Sequence, residues 1–207
     1  MLLNNVGERG VVIIVMEYEI ETHPFEPFID SETRLLIMGT FPPTRNRWSM
    51  DFYYPNRIND FWYMMGLIFY GDRHALYDTH TKSFQLDKIK NLLRQHHIGL
   101  NDTGYKIRRL KGNASDKYLD ILEPIPLMRL RRQYPAITAL CTTGEKAAGV
   151  IAGLTDTPLP AMGTMVTAPD GIHIWRMPST SRAYPLALDK KAAFYEMMFR
   201  REGIIRP

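Results

Sequence analysis

Few side chains in this sequence are spaced as familiar chemistry requires. Residues 142–149, TTGEKAAG, carry at Gly144 and Lys146 the glycine and lysine of a phosphate-cradling loop. The upstream glycine is missing, however, and Ala147 stands where such a loop needs Ser or Thr. The segment reads instead as a turn from strand to helix. No G-x-S-x-G occurs, so a hydrolase nucleophile elbow has no support. His96 and His97 are adjacent and would face different sides of a helix, which suits a solvated helix end better than a shared metal ion. His173 falls within an apolar run and reads as packed or paired there. The single cysteine, Cys141, excludes an intrachain disulfide, a four-thiolate zinc site and an iron–sulfur cluster. It also suits a reducing compartment. The polar side chains least expected of mere connections lie in three loops, after Gly39, after Leu100 and after Met177.

Those loops need elements to position them. Residues 34–39 (RLLIMG) form a short apolar run ending in glycine, the pattern of a buried strand. A turn-rich segment follows, and helical spacing then runs over 59–70, with Asn59 as a candidate cap. An amphipathic helix is expected over 86–97, a short strand over 98–100 and a helix over 124–133. Residues 136–142 (AITALCT) read as a second buried strand, backed by a helix over 145–152. A strand over 172–177 is closed by Pro178, and a long helix covers 185–201. Strands alternating with helices imply a mostly parallel sheet covered on both faces, a three-layer α/β/α sandwich with a short central sheet. In such sheets ligands bind beyond the carboxyl ends of the strands, which is where the three loops fall.

Composition agrees with one folded unit. The 207 residues are 45% hydrophobic and 23% charged, enough apolar side chains for a sizeable core and too many for a disordered chain. Residues 11–16 are apolar but far too short to span a membrane, and no basic run precedes them, so a soluble cytoplasmic protein is expected. Met16 offers an alternative start, and residues 1–16 are read as a loosely held extension of a single domain over 17–207. Charge is uneven. Residues 17–32 hold six acids and no Lys or Arg, which leaves +10 of the overall +4 for residues 33–207. Basic clusters stand at Lys106, Arg108, Arg109 and Lys111, at Arg129, Arg131 and Arg132, and at Lys190 and Lys191. They suit a polyanionic partner or an ordinary solvated surface equally well.

Three segments together resemble the uracil-DNA glycosylase superfamily. The first is Gly39-Thr40-Phe41-Pro42-Pro43, directly after the first buried strand. The second is Tyr53-Tyr54-Pro55-Asn56-Arg57-Ile58-Asn59-Asp60-Phe61-Trp62, which looks like the mismatch-specific and hypoxanthine-type branches. The third is Met177-Pro178-Ser179-Thr180-Ser181-Arg182, which looks especially like thymine-DNA glycosylase. Order, spacing and placement at strand ends match over roughly residues 34–200.

The resemblance implies a monofunctional DNA glycosylase that hydrolyses the N-glycosidic bond of uracil or another deaminated base flipped out of DNA. Extruding a base loses a few kcal/mol of stacking, and an aromatic floor recovers ~1–3 kcal/mol per base. The resemblance places Tyr54 in that role. A water must be positioned beside the anomeric carbon as the bond breaks. In many relatives an Asn or Asp does this two places after the motif glycine, where this chain has Phe41. The hypoxanthine-type branch also lacks that group, and its resemblance makes Asn59 the catalytic amide; the plainer alternative is a helix cap. Gly39, Thr40, Phe41, Pro42, Tyr54, Asn101 and Asp102 are then expected to bind the base. Pro178, Ser179, Thr180, Ser181 and Arg182 are expected to press on the DNA, with Arg182 filling the gap left by the flipped nucleotide. Many relatives that remove uracil carry a histidine where Met177 stands, so charge on the leaving base must here be met by backbone N–H groups or a loop side chain. The expected partner is damaged DNA, bound by a monomer that needs no metal or cofactor and touches no membrane. The rival readings are a relative that binds nucleic acid but has lost catalysis, and a small-molecule α/β enzyme.

Overall fold

The computed structural model describes residues 4–6, 12–14, 18–110 and 118–206. In chain order its elements are β1 (Asn4–Val6), β2 (Val12–Ile14), β3 (Ile20–Thr22), β4 (Leu35–Gly39), α1 (Phe61–Tyr70), β5 (Tyr77–Asp78), β6 (Ser83–Phe84), α2 (Leu86–Gln95) and β7 (Ile98–Asp102). There follow β8 (Gly104–Arg109), β9 (Leu119–Pro124), α3 (Leu127–Gln133), β10 (Ala139–Thr143), α4 (Glu145–Thr155), β11 (Thr164–Thr167), β12 (His173–Met177) and α5 (Leu188–Arg201). The expectation of a loosely held extension over 1–16 falls largely outside the described residues, of which Asn4–Val6 pairs antiparallel with Val12–Ile14.

The central sheet has the order β11-β12-β10-β4-β7. β12, β10, β4 and β7 run parallel, and β11 closes one edge antiparallel. Strands covered on both faces read as unbroken apolar runs, which is why LLIMG and ALCTT are buried at every residue. Successive side chains alternate between faces. Leu35 and Ile37 therefore join Cys141, Trp175 and Met177 in a core with α1, α2 and α5. Leu36 and Met38 join Leu140 and Ile174 in a second core under α3 and α4. This is the three-layer α/β/α sandwich with a mostly parallel sheet.

Boundaries shift in ways local chemistry explains. α1 begins at Phe61 rather than at Asn59, and ends where Gly71 adopts φ 69° and returns its N–H to the Leu67 carbonyl. That left-handed turn is the conformation glycine takes without strain. α3 begins at Leu127, because the prolines at 124 and 126 hold the chain extended before it. His96 and His97 lie beyond α2 in the turn to β7, with His96 against Phe69 at 4.4 Å. His173 pairs with Glu202 at 3.0 Å.

A three-stranded antiparallel sheet, β3-β8-β9, was not legible as strands. Its register sets Lys106 opposite Glu123 and Arg108 opposite Asp120, and both pairs close ion pairs. Arg109 is buried on Glu21. Three of the cluster's four basic groups thus face a carboxylate, which favours the ordinary solvated surface over a polyanion site: opposite charges across a strand pair satisfy one another. Lys111 lies outside the described residues. Arg131 is likewise paired, with Asp170, and Lys191 is fully buried.

Candidate functional site

Four parallel strands deliver their carboxyl ends to one place. Gly39 ends β4, Asp102 ends β7, Thr143 ends β10, and Ser179 follows β12 by two residues. Together with the turn before α1 they enclose a cleft of about 640 Å³. Gly39, Thr40, Phe41, Pro42, Tyr54, Asn59, Asp102, Ser179, Thr180, Ser181 and Arg182 all line it, beside Arg47, Ile58 and Thr143. Two expected members do not. Asn101 is buried behind the wall, where its Oδ1 accepts the Asp102 N–H at 2.9 Å and lies 3.3 Å from the Tyr53 hydroxyl. Pro178 is also buried, and its carbonyl accepts the Tyr195 hydroxyl at 3.0 Å. Both shape the site from outside the cleft.

Tyr54 is placed by the structure around it. Its ring stacks on Phe61 with centroids 3.8 Å apart and planes 16° apart. Its hydroxyl lies 3.2 Å from Thr143 Oγ1. Burial, and then the nearby Asp102 charge, push the phenol well above its ordinary pKa, so it stays neutral. Its backbone sits at φ 51°, a left-handed conformation unusual for a bulky residue. Such strain is held only where surrounding contacts over-determine it, and it recurs where a ligand is gripped.

Gly39 leaves room for the polar groups around it. A Cβ there would stand 2.6 Å from Asp102 Oδ1 and 3.3 Å from the Tyr54 hydroxyl. Gly39→Ala should therefore displace the carboxylate, lower stability by about 1–3 kcal/mol as other overpacked sites do, and impair whatever the cleft performs. A thermal melt and an activity assay run together check this; no change in either contradicts the placement.

The walls are tied together by a buried network that sequence reasoning missed. Asp60, at the start of α1, takes the Lys191 ammonium on Oδ2 at 2.8 Å and Arg182 Nε on Oδ1 at 3.2 Å. Lys191 also donates to the Ser181 carbonyl at 2.8 Å. The Asp60 N–H bonds the Thr180 carbonyl at 2.9 Å, and Asn59 forms a backbone bridge with Ser181. The second and third motif segments are thus one unit. Lys191 is a strut rather than part of a basic surface. Arg182 is held against Asp60 and the Tyr63 ring, 5.7 Å away, instead of reaching freely outward. Ile58, 52% exposed, stands on the same lip.

Asn59 does bond locally: its Oδ1 accepts the Phe61 N–H at 2.9 Å, easing the start of α1. An amide oxygen has a second lone pair, and Asn59 lines the cleft. Phe41 forms a wall, edge-on to His23 at 5.2 Å and beneath the Arg109 guanidinium at 5.5 Å. Met177 is fully buried and offers the cleft nothing. His23 was missed too. It lies in the acidic stretch before the first buried strand, and its Nε2 reaches Asp102 Oδ2 at 3.0 Å. No local pattern marks it. Among the described residues no three of His, Cys, Asp and Glu gather as metal ligands do. Nor is any described helix long and apolar enough to cross a membrane.

Among solved structures the chain is similar to the solution NMR structure of a candidate uracil DNA glycosylase from Methanosarcina acetivorans. The TM-score is 0.62 at 22% identity, over 89% of this chain and 99% of that one. At that identity the likeness is one of fold. No family model matches the sequence, and no curated protein matches it.

Proposed function

We propose that residues 17–207 act as one monomeric domain, a DNA glycosylase that removes uracil or another deaminated base. The supporting observation is the convergence of Tyr54, Asn59, Asp102 and the 179–182 turn on one cleft at the strand ends. The cleft belongs to a fold similar to that of the Methanosarcina protein. A base swung out of the duplex would lie against the Tyr54 ring, whose other partner, Phe61, backs it. The Asn59 oxygen would hold the attacking water at the anomeric carbon. Because the glycosidic bond is largely broken before water adds, orienting that water matters more than deprotonating it. Ser179 and Ser181 would bond phosphates flanking the flipped nucleotide. With Arg182 held by Asp60, Ile58 is the better candidate to fill the vacated stack, since apolar wedges serve this purpose in other proteins that kink DNA. The reaction proposed draws on no metal or cofactor, and cytoplasmic residence fits the lone buried thiol.

The test is a panel of oligonucleotides, each carrying one uracil, hypoxanthine, xanthine or mismatched thymine, scored for abasic sites. Release of a deaminated base, with DNA affinity that weakens steeply with salt, is the expected result. A specific observation favours a second reading, a relative that binds damaged DNA without cleaving it. Phe41 and the buried Met177 replace the two groups that uracil-removing relatives use. Tight binding without base release would identify that protein, and absence of DNA binding would remove both readings.

A further inference from the structure

We infer that Arg57, Arg73 and the Tyr63 hydroxyl form a second DNA contact beside the cleft, a seat for a backbone phosphate outside the flipped nucleotide. The inference rests on the glycosylase reading above and extends the footprint of the bound strand past the cleft.

Three guanidinium groups gather around one aromatic ring. Arg73 Cζ lies 5.8 Å from the Tyr63 ring centroid, and Arg182 Cζ lies 5.7 Å from it. Arg57 stands between Asn56 and Ile58, two residues that line the cleft, and its charge bears on the same phenol. The patch therefore adjoins the lip that carries Ile58 and Arg182.

Counter-charge is unevenly shared there. Arg182 is committed to Asp60, whose other oxygen holds Lys191. Arg57 and Arg73 are exposed, and among the described residues neither closes an ion pair. Asp72, next to Arg73 in the chain, accepts the His74 N–H on Oδ1 at 2.9 Å and pairs with neither arginine. By contrast, Lys106, Arg108, Arg109 and Arg131 each meet a carboxylate. Like charges held together repel, and an anion placed among them relieves that repulsion.

Tyr63 supplies a neutral donor to the same patch. Its ring is buried, packed against Tyr77 at 5.6 Å, Phe84 at 5.5 Å and His74 at 5.7 Å. Its hydroxyl has no hydrogen-bond partner among the described residues and is not shut off from solvent. Burial raises the pKa of the phenol against the pull of the three arginines, so it stays protonated at neutral pH. A phenol O–H beside guanidinium groups suits a phosphate, which offers several acceptor oxygens and a full negative charge. The planar fork of arginine matches that group better than an ammonium does. A strand whose nucleotide enters the cleft must run on past its lip, which brings its backbone to this patch. Such a contact carries no base information; it fixes where the strand lies.

The test is equilibrium binding of a uracil-containing duplex over a salt series. Arg57→Gln and Arg73→Gln should each weaken binding on the order of five- to tenfold near about 0.1 M salt. Each should also flatten the plot of log affinity against log salt by about 1. Tyr63→Phe keeps the ring and should lose on the order of fivefold with the slope unchanged. These losses should fall on affinity and kcat/KM rather than on release from the saturated complex. Arg132→Gln removes a like charge from α3, which supplies no residue to the cleft, and should leave the slope as it was. Duplexes carrying one methylphosphonate each locate the contact. Replacing the phosphate seated here should cost the wild type as much as Arg73→Gln does, and should cost Arg73→Gln almost nothing further. Slopes unchanged in both arginine variants overturn the inference, as do methylphosphonate penalties equal in wild type and variant at every position. A loss matched by Arg132→Gln overturns it too, because overall charge would then explain it. Wild-type binding without release of any deaminated base overturns the glycosylase reading, while the slopes still decide the phosphate seat. A protein that binds no DNA overturns both.

Discussion

Asn59→Ala should slow base release on the order of 100-fold or more, because a water left unheld at the anomeric carbon loses the orientation that near-attack geometry requires. The competing role is structural. Asn59 Oδ1 accepts the Phe61 N–H at 2.9 Å, and losing such a terminal bond costs about 1 kcal/mol of stability. That loss leaves a domain of this size folded at assay temperature, so the two roles separate by magnitude. Single-turnover release from uracil- and hypoxanthine-containing duplexes measures the first, and a thermal melt measures the second. Asn59→Asp keeps both the turn bond and an oxygen beside the cleft and should recover much of the rate. A rate unchanged in Asn59→Ala would leave the residue as a turn former only.

Lys191→Met should produce the largest loss of stability. The ammonium is fully buried, and removing it leaves the Asp60 carboxylate, 8% exposed at its side chain, with only the half-exposed Arg182 as counter-charge. Breaking a buried pair from one side costs about 3–5 kcal/mol, well above the worth of a surface pair. For a domain of this length the melting temperature should fall on the order of 10 °C. Adding Asp60→Asn to the same chain should restore part of the loss, because the stranded charge is then gone. The 179–182 turn would also lose the bond from Lys191 to the Ser181 carbonyl. DNA binding should therefore weaken even at temperatures where the variant is folded. A melt unchanged in Lys191→Met would show that Asp60 does not depend on it.

The parts of the fold that were legible share one property. RLLIMG and AITALCT are apolar runs closed by glycine or polar residues, and a strand buried on both faces needs such a run wherever it sits. Helices behind them showed the 3.6-residue repeat, so layers and loop order followed. The β3-β8-β9 sheet lacked that signal. Its segment GYKIRR carries charges among its apolar residues, and its partners, Glu123 and Asp120 among them, meet it only once the strands pair. The same pairing bears on the basic clusters: counting charges along the chain cannot show that carboxylates stand opposite Lys106, Arg108 and Arg109.

The site divides in the same way. Glycine at a strand end, an aromatic-rich turn before a helix and a Pro-Ser turn after the last strand carry the resemblance to a known family, and that resemblance singled out most of the residues that line the cleft. Asn101, beside Asp102 in β7, lies behind the wall because the strand pleat turns neighbouring residues to opposite sides, and Pro178, just past β12, is buried where its carbonyl accepts the Tyr195 hydroxyl. His23 with Asp102, and Lys191 with Asp60, lie 79 and 131 residues apart. No spacing rule reaches that far. Sequence alone determined which loops meet at the sheet's end, because apolar periodicity dictates burial locally. Which buried charges face one another was decided only by the folded chain, because a charge leaves water only where a distant partner has been brought to bonding distance.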